Sequence, residues 1–212
     1  MSHDRDHAHN AHAPIEEHQA MTAYEKRACA IESLLLEKGI ITADELRQQL
    51  EEIDAITPAL GAKVVARAWV DPAFKIRLLA DAKEAIAELG IATDALTTLV
   101  AVENTPHIHN VVVCTLCSCY PTTLLGLPPD WYKSLNYRSR VVVAPREVLR
   151  EFGTELPSDI EVRVYDSTAD MRYLVIPERP TGAEHTREEE LAELVTRDSM
   201  IGVAKARLPV KS

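Results

Sequence analysis

The segment Cys114-Thr115-Leu116-Cys117-Ser118-Cys119 follows directly on the apolar run Val111-Val112-Val113. Three of the four cysteines of the chain fall within this segment. A short run of β-branched apolar residues is typical of a buried strand. The sequence therefore predicts a strand that ends by bringing three thiols to one point, and grouped thiolates are typical metal ligands.

The triplet Cys117-Ser118-Cys119 offers a second kind of donor. If both thiols and the backbone amides of Ser118 and Cys119 lose their protons, two sulfurs and two nitrogens chelate one ion in a plane. Cys114 then caps this plane, and the position opposite it stays open, which favours catalysis over a structural role. Such a strong ligand field favours a trivalent cobalt or iron ion over magnesium or calcium.

Zinc is the competing metal, because Cys-x-x-Cys is common in zinc sites. His107 and His109 are the nearby side chains that could complete a Cys₃His set. A non-catalytic zinc or redox module therefore stays open as an alternative from spacing alone.

Six segments together carry a more specific signal. They read Ala-Arg-Ala-Trp-Val-Asp-Pro (66–72), Val-Cys-Thr-Leu-Cys-Ser-Cys (113–119), Leu-Gly-Leu-Pro-Pro-Asp-Trp-Tyr-Lys-Ser (125–134), Tyr-Arg-Ser-Arg (137–140), Arg-Tyr-Leu-Val-Ile-Pro (172–177) and Arg-Asp-Ser-Met-Ile-Gly (197–202). With these segments the chain resembles the α subunit of nitrile hydratase from about residue 22 to 203. In that family, threonine at the position of Thr115 is typical of cobalt enzymes and serine of iron enzymes.

The resemblance implies hydration of a nitrile to its amide at a non-corrin Co³⁺ centre, one per chain, with iron less favoured. Cys114, Cys117 and Cys119 would bind this ion through sulfur, and Ser118 and Cys119 through backbone nitrogen. Cys117 would be a sulfinic acid and Cys119 a sulfenic acid, both of which lie on the ordinary path of thiol oxidation. Cys119 and Ser118 are the candidate catalytic residues. The nucleophile stays open between the Cys119 sulfenate and a water activated by the metal, which could also polarise the nitrile directly.

The resemblance also implies partners. A β subunit, in a heterodimer or heterotetramer, would supply a pair of arginines to the oxidised cysteines, and an activator protein would load cobalt. We call the segment Cys114–Cys119 the cysteine claw. Arg172 corresponds to a family arginine close to this claw and to the subunit interface, although a charge at the edge of a strand is an equally simple interpretation.

Thr122 departs from the family pattern, which usually has Trp-Pro where this chain has Thr122-Thr123. We therefore expect a wider substrate pocket and a preference for bulky or heteroaromatic nitriles. The related thiocyanate hydrolase γ subunit shares the cysteine motif but typically has arginine at this position, so it is the weaker alternative.

Composition excludes other function classes. A formal net charge of −10 without a basic stripe argues against nucleic acid. The sequence shows neither a membrane-length apolar run nor a signal peptide, and clustered rather than paired cysteines are typical of a reducing compartment. We expect a cytoplasmic enzyme without membrane contact.

The chain order predicts an α+β fold in which an N-terminal helical arm precedes an α/β sandwich domain that carries the cysteine claw. Residues 1–20 form a histidine-rich tail that we expect to be disordered; it would either deliver cobalt or simply be a solvated tail. Residues 21–94 form the arm, which would clasp the partner subunit, with helices over 22–38, 42–54, 58–69 and 72–89. The capping box Thr22-Ala23-Tyr24-Glu25 predicts the start of the first helix, and Thr57-Pro58 and Asp71-Pro72 each place a cap residue before a proline at the start of the third and fourth. The first of these helices has an apolar stripe, and we expect Cys29, which lies near it, to be a small buried residue.

Residues 95–205 form the catalytic domain, with strands over 98–102, 110–114, 160–165 and 172–176 and helices over 145–152 and 187–196. Residues 206–212 would be a frayed tail.

Overall fold

The computed structural model of the protein describes residues 21–93 and 98–209. In chain order its helices are α1 (Ala23–Glu37), α2 (Ala43–Asp54), α3 (Ala59–Val70), α4 (Pro72–Ala80), α5 (Ala82–Ala87), α6 (Thr122–Leu125), α7 (Asp130–Lys133), α8 (Leu135–Arg140), α9 (Pro145–Glu151), α10 (Glu188–Glu193) and α11 (Arg197–Ile201). Its strands are β1 (Thr98–Glu103), β2 (Ile108–Val113), β3 (Glu161–Asp166) and β4 (Met171–Ile176). The predicted histidine-rich tail and residues 210–212 of the predicted C-terminal tail lie outside the described residues.

The chain divides into two compact units, residues 1–49 and 50–212. The first contains α1, which begins with the predicted capping box: Thr22 Oγ1 accepts from the backbone N–H of Glu25 at 3.2 Å, and Glu25 Oε2 accepts from the backbone N–H of Thr22 at 2.6 Å. No residue of α1 is buried, and Tyr24 and Ile31 are 80% and 59% exposed. The prediction that Cys29 is buried is wrong, because its helix presents no covered face in this chain.

In the second unit α4 begins at its predicted cap, whereas α3 begins at Ala59 after Pro58 and has no side-chain cap. Asp71 precedes Pro72 and accepts a hydrogen bond from the backbone N–H of Phe74 at 2.9 Å, which starts α4. The single helix predicted over 72–89 is instead divided into α4 and α5. The reason is Asp81, which leaves the helical conformation and caps α5 by accepting from the backbone N–H of Glu84 at 3.2 Å.

The strands form two parallel pairs, β1 with β4 and β2 with β3. Parallel strands need long crossover connections, and here both crossovers contain helices. In the second pair Val113 is the register partner of Asp166, so both strands end at the same edge. Val111, Val112 and Val113 are all buried, which is typical of a strand covered on both faces.

Helices and strands share one hydrophobic core in the second unit, to which α3, α4, α5 and all four strands contribute. This mixed architecture confirms the predicted α+β class. The assignment of residues 21–94 to a partner-clasping arm stays a prediction, as does the fraying of 206–212, of which Ala206 is buried. Among the described residues no helix is both long and apolar enough to cross a membrane.

Candidate metal centre

The three clustered cysteines lie in the loop between β2 and α6. Cys114 is buried at the end of β2, Cys119 is half-buried, and Cys117 is exposed between them. The Sγ atom of Cys117 lies 3.4 Å from that of Cys114 and 3.1 Å from that of Cys119. All three sulfurs lie within 4.8 Å of one another without forming a disulfide, so one ion could contact all of them.

The environment separates the acidities of the thiols. Hydrogen bonds from the thiols of Cys119 and Cys114 lower the pKa of Cys117 to about 7, and the backbone N–H groups of Cys119 and Ser118 add to this effect. Burial, together with hydrogen bonding to the other two thiols, raises the pKa of Cys119 to about 12. The loop therefore favours a thiolate at Cys117 over one at Cys119.

Asp166, the last residue of β3, fixes the first turn of the loop. Its carboxylate accepts from the backbone N–H of Thr115 at 2.9 Å and from the Thr115 hydroxyl at 2.5 Å. The next residue, Ser167, donates its backbone N–H to the carbonyl of Val113 at 2.7 Å. The parallel pairing of β2 and β3 thus brings the anchor to the place where the cysteine segment begins.

Two further side chains hold the loop from the helical side. Arg138 of α8 donates from Nη2 to the carbonyls of Thr115 and Leu116, at 2.9 and 2.8 Å. The buried hydroxyl of Tyr132 in α7 donates to the carbonyl of Cys119 at 2.9 Å.

Sequence reasoning missed Asp166, Arg138 and Tyr132 as supports of the loop. Asp166 carried a usable signal, because it directly follows a strand-like segment that could pair in parallel with the strand before Cys114. Arg138 and Tyr132 lie within conspicuous motifs, but their contacts depend on how short helices pack, which periodicity does not reveal.

The remaining predicted site residues lie beside the cysteines. Ser118 is exposed within the loop, and half-buried Thr122 begins α6, three residues after Cys119. Arg172 donates to the carbonyls of Thr168, Ala169 and Met171, the last two at 3.1 and 3.2 Å. Its positive charge opposes the rise in the pKa of Cys119, which places the guanidinium near that thiol.

The histidines of the zinc alternative do not join this cluster. His109 is buried in β2, and its Nε2 lies 2.7 Å from the carbonyl oxygen of Gly202. His107 is exposed at the start of the same strand region. Within the described residues, the cysteine-containing cluster of possible metal ligands consists of Cys114, Cys117 and Cys119. No described histidine supplies the fourth ligand that a Cys₃His zinc site requires in this cluster.

Comparison with known proteins agrees with this geometry. The family described as "Nitrile hydratase, alpha chain" matches residues 22–204. The low-molecular weight cobalt-containing nitrile hydratase subunit alpha of Rhodococcus rhodochrous is 51% identical over 187 residues, covering 88% of this chain and 90% of the relative. The cobalt-containing nitrile hydratase subunit alpha of Pseudonocardia thermophila is 53% identical over 183 residues, covering 85% and 90%.

More distant relatives share the same fold. Thiocyanate hydrolase subunit gamma of Thiobacillus thioparus is 41% identical over 197 residues, covering 88% of this chain and 81% of the relative. Among solved structures, a double mutant of the iron-type nitrile hydratase from Comamonas testosteroni Ni1 matches with a TM-score of 0.83 and 42% identity, covering 89% of this chain and 95% of that one. The resemblance inferred from the cysteine segment is therefore confirmed, and the chain belongs to the nitrile hydratase alpha-chain family.

Proposed function

We propose that this chain is the metal-bearing α subunit of a cobalt nitrile hydratase, which hydrates a nitrile to the corresponding amide. Cys114, Cys117 and Cys119 would hold one Co³⁺ through sulfur, and Ser118 and Cys119 would add their backbone nitrogens. The observation that carries this proposal is the convergence of three sulfurs within 4.8 Å in a loop that follows a buried strand. The cobalt-containing relatives at 51% and 53% identity favour cobalt over iron.

The donor set present in the loop fits such an ion. Thiolates are soft ligands, and the lowered pKa of Cys117 makes its thiolate available near neutral pH. The backbone N–H groups of Cys119 and Ser118 also lower the pKa of the Cys117 thiol, which supports their nitrogens as the remaining donors of the proposed set.

Bound cobalt would supply Lewis acidity toward the nitrile or a water molecule. The chain itself supplies the shape and the fixed charges of the site. Cys117 and Ser118 are exposed, so substrate can reach the loop from solvent or from a partner surface. Arg172 adds positive charge near Cys119, which would stabilise negative charge on an oxidised Cys119.

Oxidation of Cys117 to the sulfinic acid and of Cys119 to the sulfenic acid is part of the proposal, with dioxygen or a peroxide as the external oxidant that supplies the three oxygen atoms. Cys117 is exposed and its pKa is lowered, and accessible thiolates are the ones that oxidise readily. Cys119 is half-buried with a raised pKa, so its thiol would lose its proton only on binding the metal. The oxygens would need more cationic support than Arg172 provides, and we propose that a β subunit supplies it. The relatives are named as subunits, and the uncovered apolar side chains of α1 offer a surface for such a partner. Loading of the site would use a cobalt-specific activator protein.

The proposal is tested by producing the full chain with its β subunit in cobalt-supplemented cells. We expect about one cobalt per α chain and, for two oxygens on Cys117 and one on Cys119, a mass gain of about 48 Da. The purified complex should convert a nitrile to its amide. Cys117→Ser should abolish both the mass gain and activity, while Cys29→Ser, far from the claw in the sequence, should change neither. Stoichiometric zinc with an unoxidised chain would contradict the proposal.

Thiocyanate hydrolysis is the second candidate function, because the γ subunit of that enzyme is 41% identical to this chain. Thr122 argues against it, since it replaces the arginine expected there. Assaying the same complex with thiocyanate and with nitriles separates the two functions, and we expect turnover of nitriles only.

A further inference from the structure

Arg138 contacts the cysteine loop but is not one of its proposed metal ligands. From Nη2 it donates to two consecutive carbonyls, those of Thr115 and Leu116, at 2.9 and 2.8 Å. A charged donor on two adjacent peptide oxygens restrains the loop more strongly than a neutral side chain would. The contact therefore selects one orientation of the peptide units that precede Cys117.

The helix that carries Arg138 is held in place by contacts that do not involve the loop. This helix, α8, is capped by Ser134, whose Oγ accepts from the backbone N–H of Tyr137 at 3.1 Å. The buried Tyr137 donates its hydroxyl to the carbonyl of Val112 at 2.7 Å. Since Val112 belongs to β2, which ends one residue before Cys114, α8 is attached to the strand that carries the cysteine loop.

The peptide unit between Leu116 and Cys117 is contacted on both sides. A trans peptide directs its C=O and its N–H to opposite sides. Arg138 occupies the carbonyl side, and on the other side the N–H of Cys117 donates to Cys114 Sγ at 3.2 Å. A cationic donor on the carbonyl polarises the peptide, which makes its N–H a stronger donor to sulfur.

Thr115 is restrained by opposite charges at its two ends. Asp166 accepts from its N–H and hydroxyl, while Arg138 donates to its carbonyl. The loop is thus held between an anion at the end of β3 and a cation on α8, and the Cys114 sulfur receives its N–H bond inside this arrangement.

We propose that Arg138 is a positioning residue for the metal site: it fixes the Leu116–Cys117 peptide so that the Cys117 N–H remains bonded to the Cys114 sulfur, and thereby sets how strongly that thiolate donates to the metal. The inference rests on the proposed function for the presence of cobalt. Hydrogen bonds to a ligating sulfur withdraw electron density from it, which alters metal affinity and electronic spectrum.

The test compares variants on one helix in the αβ complex. Arg138→Met removes the charged donors and keeps an unbranched apolar side chain. Arg138→Lys keeps a positive charge, as one ammonium group. Arg140→Met is the matched control, because Arg140 pairs with Glu151 and has no hydrogen bond to the loop. It removes a cation and an ion pair from α8 without releasing the loop.

We expect Arg138→Met to move the sulfur-to-cobalt charge-transfer band to longer wavelength and to lower kcat at least about tenfold, with a smaller change in KM. In the metal-free complex, Arg138→Met should accelerate hydrogen exchange at residues 115–119. Arg138→Lys should show a smaller change than Arg138→Met in the band, in kcat and in the exchange. Arg140→Met should leave the band and the exchange unchanged.

Either an unshifted band or unchanged exchange in Arg138→Met overturns the proposal. If the unmodified complex takes up cobalt but hydrates no nitrile, the proposed function fails while the band and the exchange still decide the role of Arg138. If the complex takes up no cobalt, the exchange measurement alone decides it.

Discussion

The carboxylate of Asp166 accepts two hydrogen bonds from Thr115, one from the backbone N–H at 2.9 Å and one from the hydroxyl at 2.5 Å. The two residues are far apart in the sequence and meet because β2 and β3 pair in parallel and end together. Thr115, on which the expectation of cobalt rested in part, is therefore tied to an anchor outside the cysteine motif. A serine here would keep the hydroxyl bond, so the methyl group is what distinguishes the two residues.

Asp166→Asn should weaken the metal centre more than the fold. A carboxamide offers one acceptor oxygen, so one of the two bonds from Thr115 is lost. Because Asp166 is exposed, we expect the free energy of unfolding to fall by less than about 1 kcal/mol. Cobalt content or kcat should fall about tenfold, because a group supporting the ligand loop is removed.

A double-mutant cycle with Thr115→Val tests whether the effect runs through this contact. If it does, the two substitutions together should cost little more than either alone. Asp170→Asn, four residues further on, is the control and should leave cobalt content unchanged. Additive losses in the cycle would show that Asp166 acts by another route.

Tyr132→Phe should destabilise the complex by about 1–2 kcal/mol, because it leaves the Cys119 carbonyl without its buried donor. Tyr120→Phe is the matched control within the same aromatic cluster, since the two rings lie 5.2 Å apart. The Tyr120 hydroxyl reaches the carbonyl of Leu125 only at 3.4 Å, so its loss should cost less. Urea unfolding of both variants measures the difference, and equal losses would contradict a specific contribution from the bond to Cys119.

The sequence was most informative where a local pattern is sufficient. The capping box at Thr22 and the Asp71-Pro72 pair predicted helix starts correctly, because caps depend on residues within one turn. The thiol cluster was predicted for the same reason, since its members are neighbours in the chain. The division of the predicted helix into α4 and α5 at Asp81 was missed, because the sequence pattern does not distinguish an aspartate inside a helix from one that caps the next helix.

The sequence was least informative where distant segments meet. Arg138 reaches the cysteine loop through helix packing, which no periodicity in the chain encodes. Asp166 reaches it through strand pairing, for which the sequence offers only the strand-like segment before this residue. Cys29 shows the opposite error: its position near an apolar stripe predicted burial, yet no residue of α1 is buried in this chain. An apolar stripe predicts a helix face that is buried in a contact. It does not distinguish burial within the same chain from burial against a partner chain.

Thr122→Trp tests the proposed substrate preference. Thr122 begins α6 three residues after Cys119, and a tryptophan in its place would fill space next to the proposed substrate position. We expect the variant to lose activity toward heteroaromatic nitriles at least about tenfold relative to small aliphatic ones, because a filled pocket excludes the larger ring. Ratios of kcat/KM for the two classes measure this change, and Thr123→Trp provides the adjacent control. An unchanged ratio in Thr122→Trp would contradict the wider pocket.

Gly202→Ala should destabilise the fold by at least about 2 kcal/mol. Gly202 has a φ of +92°, and an added Cβ would lie 2.0 Å from the backbone oxygen of Asn110 in β2. Gly153→Ala is the matched control, with a φ of +75° and open space around the added Cβ. It should incur only the backbone cost of about 1–2 kcal/mol, so the difference between the variants isolates the clash with β2. Thermal unfolding measures Tm for the two variants. Equal decreases in Tm would show that β2 moves to accommodate the added Cβ at position 202.

His109 should make stability depend on pH. Burial lowers the pKa of this histidine below its ordinary value, and the nearby charges of Lys205 and Arg146 act in the same direction, although the hydrogen bond to the Gly202 carbonyl opposes them. The folded protein therefore keeps His109 neutral at pH values where the unfolded chain is already protonated. Since the unfolded state then binds more protons, stability is fully present above about pH 6.5 and declines as the pH falls toward the lowered folded pKa.

The decline should approach about 1.4 kcal/mol per pH unit for this single group within that window. His109→Gln keeps a donor for the Gly202 carbonyl but cannot titrate, so its free energy of unfolding should change less between about pH 7.5 and 5.5. His107→Gln replaces an exposed histidine two residues away and should retain the pH dependence of the unmodified chain. Urea unfolding at both pH values decides the matter, because a loss on acidification that is equal in all three proteins would assign the effect to other groups.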